Sequence, residues 1–141
     1  MGGLLLMDTS VLVATERGDL PPDALQKVEA GARLAVSVIT VSELLHGCHR
    51  AQPRSRRLSR ERFINSLLVE LEVLPIDLAV AREHARIWAD LAARGEIIGP
   101  YDLLIAATAL AHRLPLATLN DREFRKVKGL EVHGLRPYLR A

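Results

Sequence analysis

Short apolar-rich runs punctuate the chain: Leu4-Leu5-Leu6-Met7, which is continuous, Leu34 to Val38, and Leu116 to Leu119. A strand with one wet face alternates apolar and polar residues. A continuous run has no wet face and belongs in a parallel sheet covered on both sides. Parallel neighbours cannot be joined by hairpins, so the segments between the runs must cross back over the sheet, most readily as helices. The pattern therefore predicts an α/β fold, with a central parallel sheet of four to five strands sandwiched between helices.

The intervening segments carry the matching helix signals. Pro21-Pro22-Asp23 opens a helix that Gly31 closes, completing a β-α-β unit. Thr40 to about Ala51 reads as a helix, followed by an arginine-rich connection around Gln52-Pro53-Arg54-Ser55. Ser59 then caps a helix running to about Glu70, with Phe63, Leu67, Leu68 and Leu71 on its apolar side. Val73-Leu74-Pro75-Ile76 is a short strand whose proline argues for a sheet edge. Asp77 caps a helix to Arg94 that Gly95 stops, and Gly99-Pro100 starts another, Tyr101 to about His112, apolar all round in its middle and so central. Residues 121–127 read as a short helix and Leu130 to Val132 as a fifth strand.

With 141 residues, 49% of them apolar, residues 1–141 suffice for one domain with its own core and no disulfide staples. Cys48 is the single cysteine, has no partner for an internal disulfide, and points to a reducing, cytoplasmic setting. Asp8 breaks the N-terminal apolar run well short of a signal-peptide core, and Leu103 to Ala111 is far below the roughly 20 residues of a membrane helix. A soluble protein without membrane association is expected. Residues 50–62 hold six arginines against Glu61, more than the formal net charge of +2 for the whole chain. Such a cluster is either a solvated face or a phosphate-backbone contact, with Arg54, Arg56 and Arg57 the candidates for RNA binding.

Four acids, Asp8, Glu43, Asp102 and Asp121, stand where apolar runs end or helices begin. In a parallel α/β fold those junctions gather along one rim of the sheet. Three of the four have ordinary readings. Thr40-Val41-Ser42-Glu43 fits a capping box, Asp102 lies in a first helical turn, and Asn120 or Asp121 suits an N-cap. Asp8 is different, because a carboxylate at the end of the central strand is costly to bury unpaired and no Lys or Arg follows within eight residues. Two carboxylates about 4 Å apart repel by roughly 4 kcal/mol at an effective dielectric near 20, so a cluster stays ionised only around a cation. All-oxygen ligation selects Mg²⁺ or Mn²⁺, which activates water for phosphodiester hydrolysis.

The residues around these acids resemble a known family. Leu6-Met7-Asp8-Thr9-Ser10-Val11-Leu12, Val38 to Gly47 around Glu43, Tyr101 to Ala109 around Asp102, and Thr118-Leu119-Asn120-Asp121-Arg122-Glu123-Phe124 are similar, in order and spacing, to the successive motifs of PIN-domain proteins. They resemble more narrowly the VapC-type toxins of type II toxin–antitoxin operons. The resemblance implies a PIN-like fold, Mg²⁺- or Mn²⁺-dependent endoribonuclease activity, a homodimer, and a VapB-like antitoxin whose tail blocks the acidic pocket. It implies further that Asp8, Glu43 and Asp102 form the metal site, with Asp8 and Asp102 as direct ligands. Thr9 or Ser10 would orient Asp8, and Thr118 would line the pocket. For the fourth acid Asn120, Asp121 and Glu123 compete, and Asp121 is the choice taken.

Other chemistry finds little support. His46, Cys48 and His49 lack an evident fourth zinc ligand, and no Gly-x-Ser-x-Gly elbow, P-loop or dinucleotide fingerprint occurs. His84 and Trp88 read as core or dimer-interface residues, and Tyr101 as packing over the pocket. Two alternatives to a toxin remain open: an RNA-processing nuclease without an antitoxin, and a non-catalytic module that binds RNA or protein.

Overall fold

The computed structural model describes residues 3–140. Its centre is β1, Leu4–Met7, flanked by β2, Arg33–Ser37, and β4, Leu116–Thr118; β3, Glu72–Leu74, and β5, Val132–Gly134, lie at the two edges. All four pairings are parallel, in the order β3-β2-β1-β4-β5, so both the strand count and the edge position of β3 match the sequence pattern. Strand periodicity divides the core in two. Leu5, Met7, Val36 and Ala117 face one layer, and Leu6, Ala35 and Leu116 face the other.

The first layer is built on α1, Thr9–Arg17; α2, Ala24–Val28; α3, Val38–Arg50; and α4, Arg54–Glu70. The second is built on α5, Leu78–Ala93, and α6, Pro100–His112, which pack on each other, with α7, Asp121–Phe124, beside them. Ile105, Ala106, Ala107 and Ala109 of α6 are fully buried, as its all-round apolar middle requires. Among the described residues no helix is long and apolar enough to cross a membrane.

Several boundaries differ from those expected: β3 ends at Leu74, before Pro75, and β5, placed at Leu130 to Val132, is found at Val132–Gly134. Residues 9–17, given no element in the sequence reading, form α1: Asp8 is its N-cap, and Gly18, at φ 78°, ends it by donating its N–H to Ala14 and Thr15. The arginine-rich stretch expected as a connection is the first turns of α4, and Ser59 lies inside that helix instead of capping it. Arginine is a good helix former, so a charge run need not be a break. Likewise α3 starts at Val38 with Ser37 as its cap, which leaves Thr40 inside the helix and free of a capping role.

The topology positions the site. The chain runs outward from β1 through β2 to β3, then returns across the sheet to β4 and β5. The strand order thus reverses direction between β1 and β4, and the crevice beyond their carboxyl ends is where ligands of open α/β sheets bind. Since α6 leads into the start of β4, its own N-terminus lies at the same rim as the end of β1.

Candidate active site

Asp8 leaves the end of β1 only 2% exposed, at the point where β1 and β4 diverge. Its Oδ1 accepts from Ser10 Oγ at 2.6 Å and Val11 N at 3.4 Å, and its Oδ2 accepts from Thr118 Oγ1 at 2.7 Å. Both hydroxyls are fixed from behind: Ser10 Oγ accepts from Leu119 N at 3.2 Å, and Thr118 Oγ1 from Asn120 N at 2.8 Å. Each hydroxyl has one proton, and each aims it at the carboxylate. Burial pushes the Asp8 carboxyl above its ordinary value against these hydrogen bonds, and the Glu43 charge pushes the same way.

Glu43, on the second turn of α3, accepts from Thr9 Oγ1 at 2.6 Å, and Thr9 Oγ1 also lies 3.2 Å from Thr40 Oγ1. Glu43 therefore is tied across to α1, and its capping-box role falls away because Thr40 is not a cap. Of the two hydroxyls expected at Asp8, Ser10 is the one bonded to it, while Thr9 serves Glu43. Thr40, fully buried, joins this group unannounced by the sequence beyond its place one turn before Glu43.

Asp102 is half-buried in the first turn of α6. Burial, and then the neighbouring carboxylates of Asp8, Glu43 and Glu123, push its carboxyl up to about 6, with no hydrogen bond to hold it down. The charges of Asp8 just after β1, of Glu43 on α3 and of Glu123 on α7 are thus near enough to act on Asp102. Asp121 is not among them. It pairs with Arg125 at 3.1 Å and packs against β5, where a Cβ on Gly134 would meet its Cγ at 3.0 Å. Glu123, a competitor in the sequence, is the member of α7 beside Asp102, and Lys126 Nζ lies 3.2 Å from it. Asn120 is exposed and makes no side-chain cap.

Among the described residues no group of three or more His, Cys, Asp or Glu side chains is placed to hold a metal ion. Mg²⁺ takes as few as one or two carboxylates and keeps several waters, so it does not need such a group. The donor set fits such an ion: all oxygen, held by hydroxyls at Asp8, and bearing a charge at Asp102 that its surroundings penalise until a cation arrives. His46 and His49 are exposed, and the buried Cys48 thiol is spent on Arg57 O at 3.4 Å. Arg54, Arg56 and Arg57 stand exposed in the first turn of α4, without a carboxylate partner among the described residues.

Comparison with known proteins bears on the same segments. Residues 5–130 match the profile of the PIN domain. The chain is 34% identical over 128 residues to Ribonuclease VapC1 of Rickettsia felis, covering 91% of this chain and 93% of that one. It is 30% identical over 128 residues to the tRNA(fMet)-specific endonuclease VapC of Shigella flexneri, covering 90% and 94% respectively. Among solved structures, DNA-bound VapBC from Salmonella typhimurium superposes with a TM-score of 0.80 at 28% identity, over 96% of this chain and 99% of the other.

Proposed function

The chain belongs to the PIN-domain family as one of its VapC-type members, and on that footing we propose that it is the ribonuclease toxin of a cytoplasmic toxin–antitoxin pair, cutting RNA with a divalent ion. The observation that carries the metal-dependent reading is the buried Asp8 carboxylate, held by Ser10 and Thr118 at the carboxyl end of β1, with the half-buried Asp102 carboxyl pushed up nearby. Asp8 and Asp102 would hold the ion, with Glu43 and Glu123 adding charge nearby, while Ser10 and Thr118 keep Asp8 in place. When bound, Mg²⁺ or Mn²⁺ supplies an activated water and stabilises charge on a phosphodiester oxygen.

The chain's own residues do the positioning. Thr9 fixes the rotamer of Glu43, so α1 and α3 move as one wall of the site. Glu123 takes the fourth acidic place and Asp121 braces α7 against β5. The RNA backbone is drawn in by the arginines of α4, with Arg54, Arg56 and Arg57 outside the metal site. The relatives' VapBC complexes support a VapB-like partner for this chain as well. An apolar groove of about 490 Å³, lined in part by Trp88, Leu91, Ile97 and Pro100, supports a second copy packed beside the site.

Purified protein freed of antitoxin is expected to cleave RNA in Mg²⁺ or Mn²⁺, to stop on chelation, and to be inert as Asp8→Asn. Equal cleavage by wild type and Asp8→Asn would overturn this reading.

A further inference from the structure

Glu43, Gly47 and Arg50 fall four and three residues apart on α3, so they share one stripe of that helix. Two cavities follow the stripe. The first, of about 190 Å³, opens on Thr9 and Glu43 and is walled by Glu16, Arg17, Gly47 and Arg60. The second, of about 520 Å³, is lined by Gly47, Arg50, Ala51, Gln52, Arg56 and Arg60. Because Gly47 and Arg60 line both, the cavities adjoin, and together they lead from the acid cluster to a hollow with three arginines and no carboxylate. At about 1.5 Å per residue, Arg50 stands roughly 10 Å along the helix from Glu43.

The arginines of the hollow are under-used by the fold. Arg50 and Arg56 have no ion-pair partner among the described residues. Arg60 has only long contacts, 3.4 Å to Glu16 Oε1 and 3.4 Å to Gly47 O. Guanidinium groups converging on a polar concavity match phosphate oxygens, which they bind by paired, charge-assisted hydrogen bonds. Gly47 keeps the passage low: a Cβ built there meets nothing within 4 Å, so the fold tolerates a larger side chain that the passage does not.

We infer that the Arg50–Arg56–Arg60 hollow is a phosphate subsite that grips the RNA backbone beside the scissile bond, the strand passing over Gly47 into the acid cluster. This rests on the ribonuclease reading and moves the centre of backbone binding from the Arg54 and Arg57 flank of α4 to the α3–α4 corner. RNA is favoured over a peptide because the hollow offers no large apolar side chain to anchor one and continues into the site where a phosphodiester must lie.

The test is binding of labelled single-stranded RNA of random sequence, in EDTA and at several salt concentrations, to wild type, Arg50→Gln/Arg56→Gln and Gly47→Gln. The arginine pair is expected to lose affinity about tenfold, with a salt slope lower by about one. Gly47→Gln should lose affinity while melting no lower than wild type, since it replaces a mid-helix glycine. In Mn²⁺, both variants should raise KM on long RNA. Wild-type affinity and slope in both variants would overturn the subsite, as would intact RNA binding with lost affinity for the antitoxin. Asp8→Asn, run alongside, separates the cases: its activity judges the nuclease reading, whereas binding in EDTA judges the hollow alone.

Discussion

A carboxyl that keeps its proton up to about 6, as Asp102 does against an ordinary 3.8, makes the metal-free protein sensitive to acid in an unusual direction. Its folded-state value is raised, so between those two values the folded chain binds more protons than the unfolded one, and stability falls as pH rises through the window. Asp8, also raised, acts with the same sign. Metal-free protein should therefore melt higher near about pH 5 than near about pH 7, and saturating Mn²⁺ should flatten the difference. Asp102→Asn should stabilise the metal-free form at neutral pH by on the order of 1 kcal/mol, after allowance for solvent at a half-buried group, and should abolish Mn²⁺ binding by calorimetry. A metal-free melting temperature that drops on mild acidification would contradict this. At this scale the sequence marked the three principal acids but led to Asp121 for the fourth, where Glu123 is the α7 acid whose charge acts on Asp102. In a helix as short as α7, each residue step turns the side chain by about 100°, so the choice depends on a helix phase that no periodicity reveals.

The elements show why the strands were easier to read than the ends of helices. A continuous apolar run carries its burial with it, and β1, β2 and β4 lie within a residue or so of the expected spans. The stop signal of α1 was present in Gly18, but nine residues bearing Thr, Glu and Arg gave no strong apolar stripe to attach it to. The start of α4 was hidden by its six-arginine neighbourhood, because only Ile64 of that helix is buried and pattern is a record of burial. Contacts between elements leave no such record. Gly134 of β5 faces Asp121 so closely that a methyl group would stand 3.0 Å from its Cγ. Gly134→Ala should push α7 and Glu123 off the site, costing about 1–3 kcal/mol in stability and lowering Mn²⁺ affinity. Unchanged metal affinity in a folded Gly134→Ala protein would separate α7 from the site.

At the scale of the whole molecule, several large apolar residues lie exposed around α5. Leu78 (67% exposed), Trp88 (60%) and Ile97 (81%) are exposed apolar residues on and after α5, and the Trp88 ring lies 5.6 Å from that of His84. Trp88 is thus not a core residue of the single chain. If a second copy covers this face, Trp88→Glu should convert a dimer to a monomer by light scattering without unfolding it, whereas a wild type already monomeric would remove the proposal. The fold class was legible because alternation of strand and helix is a whole-chain property. The convergence of the acids was legible only as a consequence of that topology.

The hydrogen bond from Thr118 to Asp8 spans 110 residues, and Asp102 and Glu123 also lie in the last third of the chain. During synthesis the N-terminal strand emerges with its carboxylate long before these partners exist. A growing chain still tethered among ribosomes and transfer RNAs therefore has no assembled site to turn on them. The hydrogen bond from Thr118 to Asp8 can form only after the strand carrying Thr118 has been made and paired with β1.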